Sequence, residues 1–301
     1  MGESLTRCGF VAVVGAPNVG KSTLINRLVG TKVSIVSPKV QTTRTRVLGI
    51  SLQGNSQVVF IDTPGIFEPR RRLDRAMVAA AWSGAQDADM TVLLVDSARG
   101  IDKDTRAILD RLKEQEHRPL LLALNKIDLV KKQDLLALSH SLNADGLFSE
   151  TFMISAATGD GLPELMSFLT SSVPEGPWHF PEDQVSDMPQ RMLAAEITRE
   201  QIFRQLHQEL PYAATVETES WEDKDDGSIK INQVIYVERP GHKGIFLGNK
   251  GSRIKSLGEA SRKELEEIFE TRVHLFLFVK VREKWGDDPD RYRDWGLDYN
   301  A

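Results

Sequence analysis

The stretch Phe10–Ser22, FVAVVGAPNVGKS, decides the fold of this 301-residue chain. A short apolar run, typical of a buried strand, passes directly into the pattern G-x-x-x-x-G-K-S. The glycines of that pattern let the backbone wrap closely around phosphate oxygens, and the following helix points its N-terminal amides at the same anion. The stretch therefore predicts a nucleoside-triphosphate site at the end of a buried strand.

The polar residues of this phosphate loop each have an expected role. Lys21 would reach the β- and γ-phosphates, and the Ser22 hydroxyl would bind Mg²⁺. The loop residues predicted to contact the nucleotide are Gly15, Ala16, Pro17, Asn18, Val19, Gly20, Lys21, Ser22 and Thr23. An ordinary glycine turn can mimic part of the pattern, but the flanking strand, the flanking helix and the Lys-Ser ending argue against it.

Apolar runs alternate with amphipathic segments through the first half of the chain. The predicted strands are Phe10–Gly15, Gln57–Ile61, Thr91–Val95, Leu120–Leu124 and Phe152–Ser155. The predicted helices are Lys21–Val29, Leu73–Ala85, Lys103–Gln115, Lys132–Ala144 and Leu162–Ser171. This order predicts an α/β P-loop domain with a mostly parallel sheet and helices on both faces, whose ligands bind at the carboxyl ends of the strands.

The composition is that of an ordinary globular protein, with 41% hydrophobic and 27% charged residues. No apolar run reaches 18 residues, so no transmembrane segment is predicted. The polar residues before Cys8 predict neither a signal peptide nor a transit peptide. Cys8 is the only cysteine, which excludes an internal disulfide and a Cys-rich metal site and favours the reducing cytosol. A net charge of -5 does not by itself indicate a nucleic-acid binder.

A second motif, Asp62-Thr63-Pro64-Gly65, ends another apolar run about 40 residues after the phosphate loop. Asp62 is expected to hold Mg²⁺ through a water, and the Gly65 amide to sense the γ-phosphate. The four letters alone are a common turn, and their position after a strand is what indicates a metal-holding aspartate.

A third motif, Asn125-Lys126-Ile127-Asp128, predicts the base. A carboxylate at Asp128 can accept hydrogen bonds from the N1–H and 2-amino groups of guanine, a donor pair that adenine lacks. Asn125 and Lys126 would brace the loop and cover the base. Ser155 and Ala156 lie at the end of the next predicted strand, and the Ala156 amide would contact the guanine O6.

These motifs resemble those of the TRAFAC-class GTPases, and in the forms GxPNVGKS, QTTR, DTPG, NKxD and SA they resemble the Era branch. The second of them is Gln41-Thr42-Thr43-Arg44. In this switch segment a threonine would complete the Mg²⁺ shell when GTP is bound. The resemblance favours Thr43, but spacing alone does not separate it from Thr42.

Slow hydrolysis is expected. Ras-like proteins place a water-orienting glutamine directly after the glycine of DxxG, and this chain has Ile66 there. Related GTPases use an asparagine at the place of Asn18 to hold a potassium ion near the phosphates, which would add positive charge; as an alternative, Asn18 is only a turn residue. The catalytic set implied by the resemblance is Lys21, Thr43, Gly65 and Asn18. Arg70-Arg71-Arg72 would be a solvated or RNA-facing surface, or a trans-acting finger.

Three prolines and a glycine in Val173–Pro181 predict a linker. The predicted division is a GTPase domain over 1–175, a linker over 176–189 and an α+β domain over 190–301. The later elements are a helix, Arg191–Leu210, two strands, Ala213–Glu222 and Ile229–Glu238, a short segment, Gly241–Leu247, a helix from Ser252 to Phe269 and a strand, Val273–Val281. This order around a G-x-x-G turn resembles a type II KH domain.

Local charge supports RNA as the partner of this second domain. From Gly241 to Arg282 there are nine Lys or Arg residues against five Glu, a net charge of +4 in a chain of net charge -5. The residues predicted to bind RNA are Gly248, Asn249, Lys250, Gly251, Arg253 and Lys255. An ordinary α+β domain with a helix cap at Gly248 is the alternative. Trp285 would either stack on a base or clamp the domain.

Joined in one chain, the two halves resemble the Era family of bacterial ribosome-assembly GTPases. The resemblance implies GTP and GDP as ligands, Mg²⁺ and potassium as ions, binding to the 3′ end of 16S ribosomal RNA, and a role in maturation of the 30S subunit. It also implies a cytoplasmic protein with peripheral contact to the inner membrane. Two other readings stay open: a GTPase whose second domain binds protein, and an RNA-binding module with a degenerate nucleotide site.

Overall fold

The computed structural model describes residues 5–40, 42–114 and 119–301, and these divide into two compact units. The first unit comprises the chain up to Ser34, together with Thr43–Asp187 and Tyr292–Ala301. The second comprises Ile35–Thr42 and Met188–Arg291. Gln41 of the predicted switch motif and Gln115 of the predicted third helix lie outside the described residues. The domain boundaries predicted from the sequence stay predictions.

The first unit is built on a six-stranded sheet of order β2-β3-β1-β4-β5-β6. Its strands are β1 (Arg7–Val14), β2 (Val47–Gln53), β3 (Ser56–Asp62), β4 (Met90–Asp96), β5 (Leu120–Asn125) and β6 (Glu150–Met153). Strand β2 runs antiparallel to its neighbour, and the other pairs are parallel, as predicted. All residues of β3, β4 and β5 are buried, which is why these strands read as continuous apolar runs.

The sequence patterns did not predict strand β2. Its sequence, VLGISLQ, is interrupted by Gly49, which usually weakens a strand. In the fold a Cβ at Gly49 would lie 2.9 Å from methyl carbons of Ile25 and Val29, so the glycine is required by close packing of the first helix on the strand. The sequence pattern therefore missed this antiparallel edge strand, because Gly49 is required by tertiary packing and not by the strand itself.

Five helices follow the strands of the first unit. They are α1 (Lys21–Val29), α2 (Arg72–Asp87), α3 (Lys103–Lys113), α4 (Lys132–Asn143) and α5 (Leu162–Ser172). The bounds of α1 are those predicted, and the others differ by one or two residues at an end. At the C-terminal end of the chain, Tyr292 and Leu297 pack with Ala76 and Met77 of α2 in a small separate core.

The second unit contains α6 (Gln190–Gln205), β7 (Ala214–Asp223), β8 (Ile229–Val237), α7 (Pro240–Leu247), α8 (Ser252–Phe269) and β9 (Val273–Val281). In its sheet β8 is central, antiparallel to β7 and parallel to β9. Helix α6 ends five residues before the predicted Leu210, and Leu210–Ala213 is a separate turn of 3₁₀-helix. Pro211 lies in that turn, and proline does not continue an α-helix. The short segment Gly241–Leu247, which the resemblance to a type II KH domain makes a helix, lies in helix α7.

The chain's last helix is α9 (Pro289–Asp294). Among the described residues, no helix combines the length and the apolar character that a membrane crossing requires.

Candidate nucleotide site and nucleic-acid groove

The phosphate loop lies between β1 and α1, at the carboxyl edge of the sheet. Gly20 has φ 104°, and a Cβ there would lie 2.4 Å from Nδ2 of Asn125, so no other residue fits that position. Gly65 approaches the same loop from β3's side, since a Cβ on it would lie 3.0 Å from the Pro17 Cα. Gly20 thus lets Asn125 approach the phosphate loop, and Gly65 lets the DTPG turn approach it.

Lys21 is 7% exposed and bends back onto its own loop. Its Nζ donates to the carbonyl oxygens of Gly15 and Ala16, at 3.1 and 3.0 Å. Burial lowers the pKa of Lys21 to about 8, and the nearby Asp62 carboxylate acts in the opposite direction. A buried ammonium that is satisfied only by loop carbonyls suits a site that receives anionic phosphate oxygens.

Three oxygen-bearing side chains converge beside Lys21. The Ser22 hydroxyl donates to Oδ2 of Asp62 at 2.8 Å and lies 3.0 Å from the Thr43 hydroxyl. Asp62 is fully buried, and its Oδ1 has no hydrogen-bond partner among the described residues. Burial raises the pKa of Asp62, and the Ser34 hydroxyl, the Ser22 hydroxyl and the Lys21 charge oppose the shift. Hydroxyl and carboxylate oxygens gathered around an unsatisfied buried oxygen fit a hard cation such as Mg²⁺.

Thr42 and Thr43 have different partners. Thr43 lies beside Ser22, whereas the Thr42 hydroxyl is 2.7 Å from the Ser37 hydroxyl and donates to the Lys39 carbonyl at 2.8 Å. Of the two threonines, Thr43 is therefore the one placed beside the metal-binding oxygens.

The base-recognition motif follows β5. Asn125 is 1% exposed; its Nδ2 donates to the Val19 carbonyl at 2.7 Å, and its Oδ1 accepts the Ala156 amide at 2.9 Å. Asn125 thus ties the phosphate loop to the Ser155-Ala156 turn. The Ala156 amide, predicted to contact guanine directly, is already bonded to this asparagine. Asp128 is exposed at the start of the motif's 3₁₀ turn.

Asp96 belongs to this site, and the sequence reasoning missed it. Its Oδ2 lies 2.6 Å from Nζ of Lys126, which also donates to the Asn18 carbonyl at 2.9 Å. Asp96 is the last residue of β4 and is paired in register with Asn125 of β5. A carboxylate at the end of the strand beside the motif's own strand was the available signal.

Ile66, at the position where Ras-like proteins have glutamine, is 6% exposed. Its amide donates to the Gly15 carbonyl at 3.1 Å, and its side chain belongs to the core of the first unit. An apolar side chain that packs inward cannot orient water.

The three arginines of the predicted switch II surface differ. Arg70 and Arg71 are exposed, while the Arg72 guanidinium lies 4.3 Å from the centre of the Tyr299 ring. The surface prediction therefore fits Arg70 and Arg71, whereas Arg72 packs within its own unit.

In the second unit the G-x-x-G turn joins α7 to α8. Gly248 has φ 71°, and a Cβ there would lie 2.8 Å from the Arg253 Cβ, so glycine is required for the turn. Lys250 and Arg253 are exposed, and Nη1 of Arg253 donates to the Ile245 carbonyl at 2.9 Å. The turn thus presents backbone and cations to solvent, as phosphate binding requires.

Beside this turn an open groove of about 780 Å³ runs between α8 and β9. Lys255, predicted from the sequence, lines it, and so do Phe276 and Phe278, which were not predicted. The sequence could have predicted them from the two-residue period of β9. The two phenylalanines alternate with core-facing leucines and so must point to the opposite face of the strand.

Trp285 is 2% exposed, and its Nε1 donates to the Ala213 carbonyl at 3.1 Å. The interpretation of Trp285 as a hydrophobic clamp on the domain is confirmed, and the alternative, stacking on a base, is wrong. An indole whose N–H is already paired in the interior has no face to offer a ligand.

Known proteins resemble this chain over nearly its whole length. A family model described as a 50S ribosome-binding GTPase matches residues 10–126, and a KH-domain model matches residues 209–286. "GTPase Era" of Rhizobium meliloti (strain 1021) is 62% identical over 294 residues, covering 98% of this chain and 94% of that protein. The chain belongs to the Era GTPase family. A second Era, of Bradyrhizobium sp. (strain ORS 278), is 58% identical over 298 residues, with coverage of 99% and 97%.

Solved Era structures have the same fold. Era crystallised with MgGDPNP and nucleotides 1506–1542 of 16S ribosomal RNA has a TM-score of 0.92 and 38% identity, and covers 97% of this chain and 99% of that one. A single-substitution variant of Aquifex aeolicus Era bound to GDP·AlF₄⁻ has a TM-score of 0.91 and 38% identity, with the same coverage. These likenesses confirm the predicted fold class, a P-loop GTPase domain followed by a KH domain, and the chain is a GTPase.

Proposed function

We propose that this Era-family GTPase is a GTP-hydrolysing switch that binds 16S ribosomal RNA near its 3′ end through its KH domain and assists maturation of the 30S subunit. The observation that carries the proposal is the likeness over 97% of the chain to an Era crystallised with both MgGDPNP and that RNA. The basic G-x-x-G turn and the open groove beside it support RNA over protein as the partner.

In this proposal the phosphate loop, from Gly15 to Thr23, surrounds the phosphates of GTP or GDP, and Lys21 neutralises the β- and γ-phosphates. Ser22, Thr43 and Asp62 hold Mg²⁺, which supplies positive charge to the phosphates when bound. Thr63 and Pro64 shape the turn that presents the Gly65 amide: the Thr63 hydroxyl donates to the Val13 carbonyl at 2.8 Å. Asp128 selects guanine, with Asn125, Lys126, Ser155 and Ala156 supporting its loop.

Turnover is slow in this proposal, because Ile66 faces the core and leaves no side chain there to position the attacking water. Lys21 and the Gly65 amide stabilise the charge that develops on the γ-phosphate. Asn18, exposed on the phosphate loop with φ 63°, is placed to help hold a potassium ion there.

We further propose that the bound nucleotide tunes RNA affinity through the segment Ile35–Thr42, which directly precedes Thr43. In the second unit Ile35 is 3% exposed and packs with Ala194 and Ile197 of α6. Oε1 of the buried Glu200 accepts the Val36 amide at 3.1 Å. Nζ of Lys39 donates to the Phe203 and Leu206 carbonyls at the end of α6. A movement of Thr43 towards bound Mg²⁺ would pull on this anchored segment.

The test is binding of purified protein to a labelled single-stranded RNA from the 16S 3′ end, with GDP and with a non-hydrolysable GTP analogue. Tight, analogue-dependent binding that Gly248→Asp and Lys250→Asp abolish is expected. Gly146→Asp is the matched control, because Gly146 also has positive φ but lies on the surface of the first unit. Absence of RNA binding in both nucleotide states would leave a GTPase whose second domain recognises something else.

A separate variant, Lys39→Met, tests the coupling between bound nucleotide and RNA affinity. It removes the ammonium group that donates hydrogen bonds to the carbonyls at the end of α6. We expect it to shrink the difference in RNA affinity between the GDP and analogue states. Lys113→Met, on α3, where Nζ pairs with the exposed Asp145 at 2.5 Å, should leave that difference unchanged. Equal RNA affinity of the unmodified protein in the two nucleotide states would contradict this coupling.

We place the protein in the cytoplasm, with peripheral contact to the cytoplasmic face of the inner membrane. The family resemblance and the predicted reducing environment of the lone Cys8 support the first part. A peripheral contact of this kind would be reversible. Fractionation of cells at low and high salt, followed by immunoblotting, tests both parts.

A further inference from the structure

We propose that Phe276 and Phe278 form a stacking platform for unpaired RNA bases along one rim of the groove, opposite the cationic rim on α8. The inference rests on the proposed RNA-binding function and adds to it a set of base contacts outside the G-x-x-G turn. It places these base contacts on β9, on the face of the strand that points away from the core-facing leucines.

Exposure singles out the two phenylalanines. Phe276 is 48% exposed and Phe278 is 50% exposed, whereas all ten of the other phenylalanines, every one a described residue, are buried or half-buried. Each ring leaves about half of its apolar surface in water, where burial would have been favourable. Two such rings side by side on a nine-residue strand call for a ligand.

The period of β9 aligns the rings. Residues two apart on a strand point to the same face about 6.6 Å from each other, so the two rings form a short row. Leu275 and Leu277 face the other way, and in register Phe276 lies opposite Asn232, and Phe278 opposite Val234, of β8. Because β9 is at the edge of its sheet, the row stands at an open border of the domain and a strand of RNA can reach it.

The floor of the groove is kept open by Gly258 in the middle of α8. A glycine in a helix interior is less favourable than an alanine. A Cβ at this position would make only ordinary contact, 3.6 Å, with Leu277 of β9, so packing does not require the glycine. Its effect is to leave space between helix and strand, where Ile254, Leu275 and Leu277 supply an apolar floor.

The cations around the groove differ in their partners: those on α8 are unpaired among the described residues, and those beside the rings form ion pairs. On α8, Lys255 and Arg262 line the groove, and neither forms an ion pair among the described residues; Glu259 lies between them. On the sheet face beside the rings the cations are already paired, Lys280 with Glu219 at 2.7 Å and Lys230 with Glu222 at 3.3 Å. Unpaired positive charge on one rim and flat apolar rings on the other fit phosphates and bases respectively.

The experiment measures equilibrium binding of the GTP-analogue-bound full chain to a fluorescent single-stranded RNA from the 16S 3′ end. Phe276→Ala and Phe278→Ala should each weaken binding by about 5- to 100-fold, the range measured for a stacked base. Phe276→Leu and Phe278→Leu keep apolar area without a π-face, and we expect them to lose nearly as much as the alanine variants. Leu136→Ala, at a 52% exposed position on α4, is the control and should bind RNA normally.

A cycle with abasic RNA separates stacking from a structural role. Replacing the stacked base by an abasic sugar should weaken binding to the unmodified protein but barely affect binding to the alanine variants. Normal RNA affinity of all four phenylalanine variants, beside intact binding by the unmodified protein, overturns the platform and leaves the proposed function standing. Failure of the unmodified protein to bind RNA overturns the proposed function, and the platform with it.

Discussion

The phosphate loop and the G-x-x-G turn use glycine for the same purpose in opposite surroundings. In both, glycines let backbone and a lysine approach phosphate oxygens. Lys21 of the phosphate loop is 7% exposed and bonded to loop carbonyls, whereas Lys250 of the G-x-x-G turn is exposed at a turn residue with φ 50°. Burial thus separates a site that recognises one small ligand from a surface that follows a polymer.

The buried and the exposed lysine differ in how strongly water and salt weaken their interactions. A desolvated charge interacts strongly with its partner and is little affected by salt, but it costs free energy when the partner is absent. An exposed charge gains little per contact and is screened within about 10 Å at 0.1 M salt. Each of the following variants or conditions tests whether this difference governs the two sites.

The largest expected effect is that of Lys21→Met. Removing one partner of a buried charge pair costs about 2–5 kcal/mol, so GTP affinity should fall by about 30-fold or more. Calorimetric titration with GTP and Mg²⁺ measures it. Lys132→Met, at an exposed position on α4, should bind GTP normally. A loss below threefold for Lys21→Met would mean that burial does not strengthen this contact.

Asp128→Asn should shift the base specificity from guanine towards xanthine. The asparagine amide can donate to the 2-oxygen of xanthine but cannot accept both donors of guanine, so GTP affinity should fall by about 10²-fold and affinity for xanthosine triphosphate should rise. Competition between the two nucleotides provides the readout. Asp134→Asn on α4 is the matched control. Unchanged preference for GTP would remove Asp128 from the base site.

The salt dependence of RNA binding tests the exposed G-x-x-G turn. Lys250→Ala should weaken RNA binding about equally for all sequences and reduce the slope of log affinity against log salt by about 0.7–1. The affinity of the same variant for GTP should be unchanged at every salt concentration. An unaltered slope would show that Lys250 makes no phosphate contact.

The smallest expected effect is a proton taken up on binding. Burial holds the pKa of Lys21 near 8 in the ligand-free protein, below its ordinary value of 10.5, so the empty site loses its charge as pH rises through 8. Phosphates favour the charged form, and GTP binding at pH 9 should therefore take up to one proton that binding at pH 6.5 does not. Calorimetry in two buffers of different ionisation enthalpy measures this uptake.

The same shift affects stability. The lowered pKa of Lys21 means that the unfolded chain binds more protons than the ligand-free folded protein between about pH 8 and 10.5, so this group raises the free energy of unfolding as pH rises through that window. Saturating GTP should abolish the effect. Equal proton uptake at pH 6.5 and pH 9 would contradict the buried, deprotonation-prone lysine.

Local pattern was sufficient for most of the fold. Helix α1, helix α8 and strand β9 have the bounds that the sequence predicts. Both helices begin directly after the glycine of a motif, and the strand is a continuous β-type run that closely follows α8. The phosphate loop and the G-x-x-G turn were readable for the same reason: each needs backbone angles that only glycine adopts easily. These features are set by short-range sterics, which the order of residues contains.

Only tertiary structure decided the contacts between distant parts of the chain. Asp96 meets Lys126 because β4 and β5 are neighbours in register, and Thr43 rather than Thr42 meets Ser22 because of the path of the loop between α1 and β2. The burial of Trp285 depends on the Ala213 carbonyl, 72 residues away. Which surface covers a side chain depends on how separate elements pack, and a local pattern carries no information on that partner.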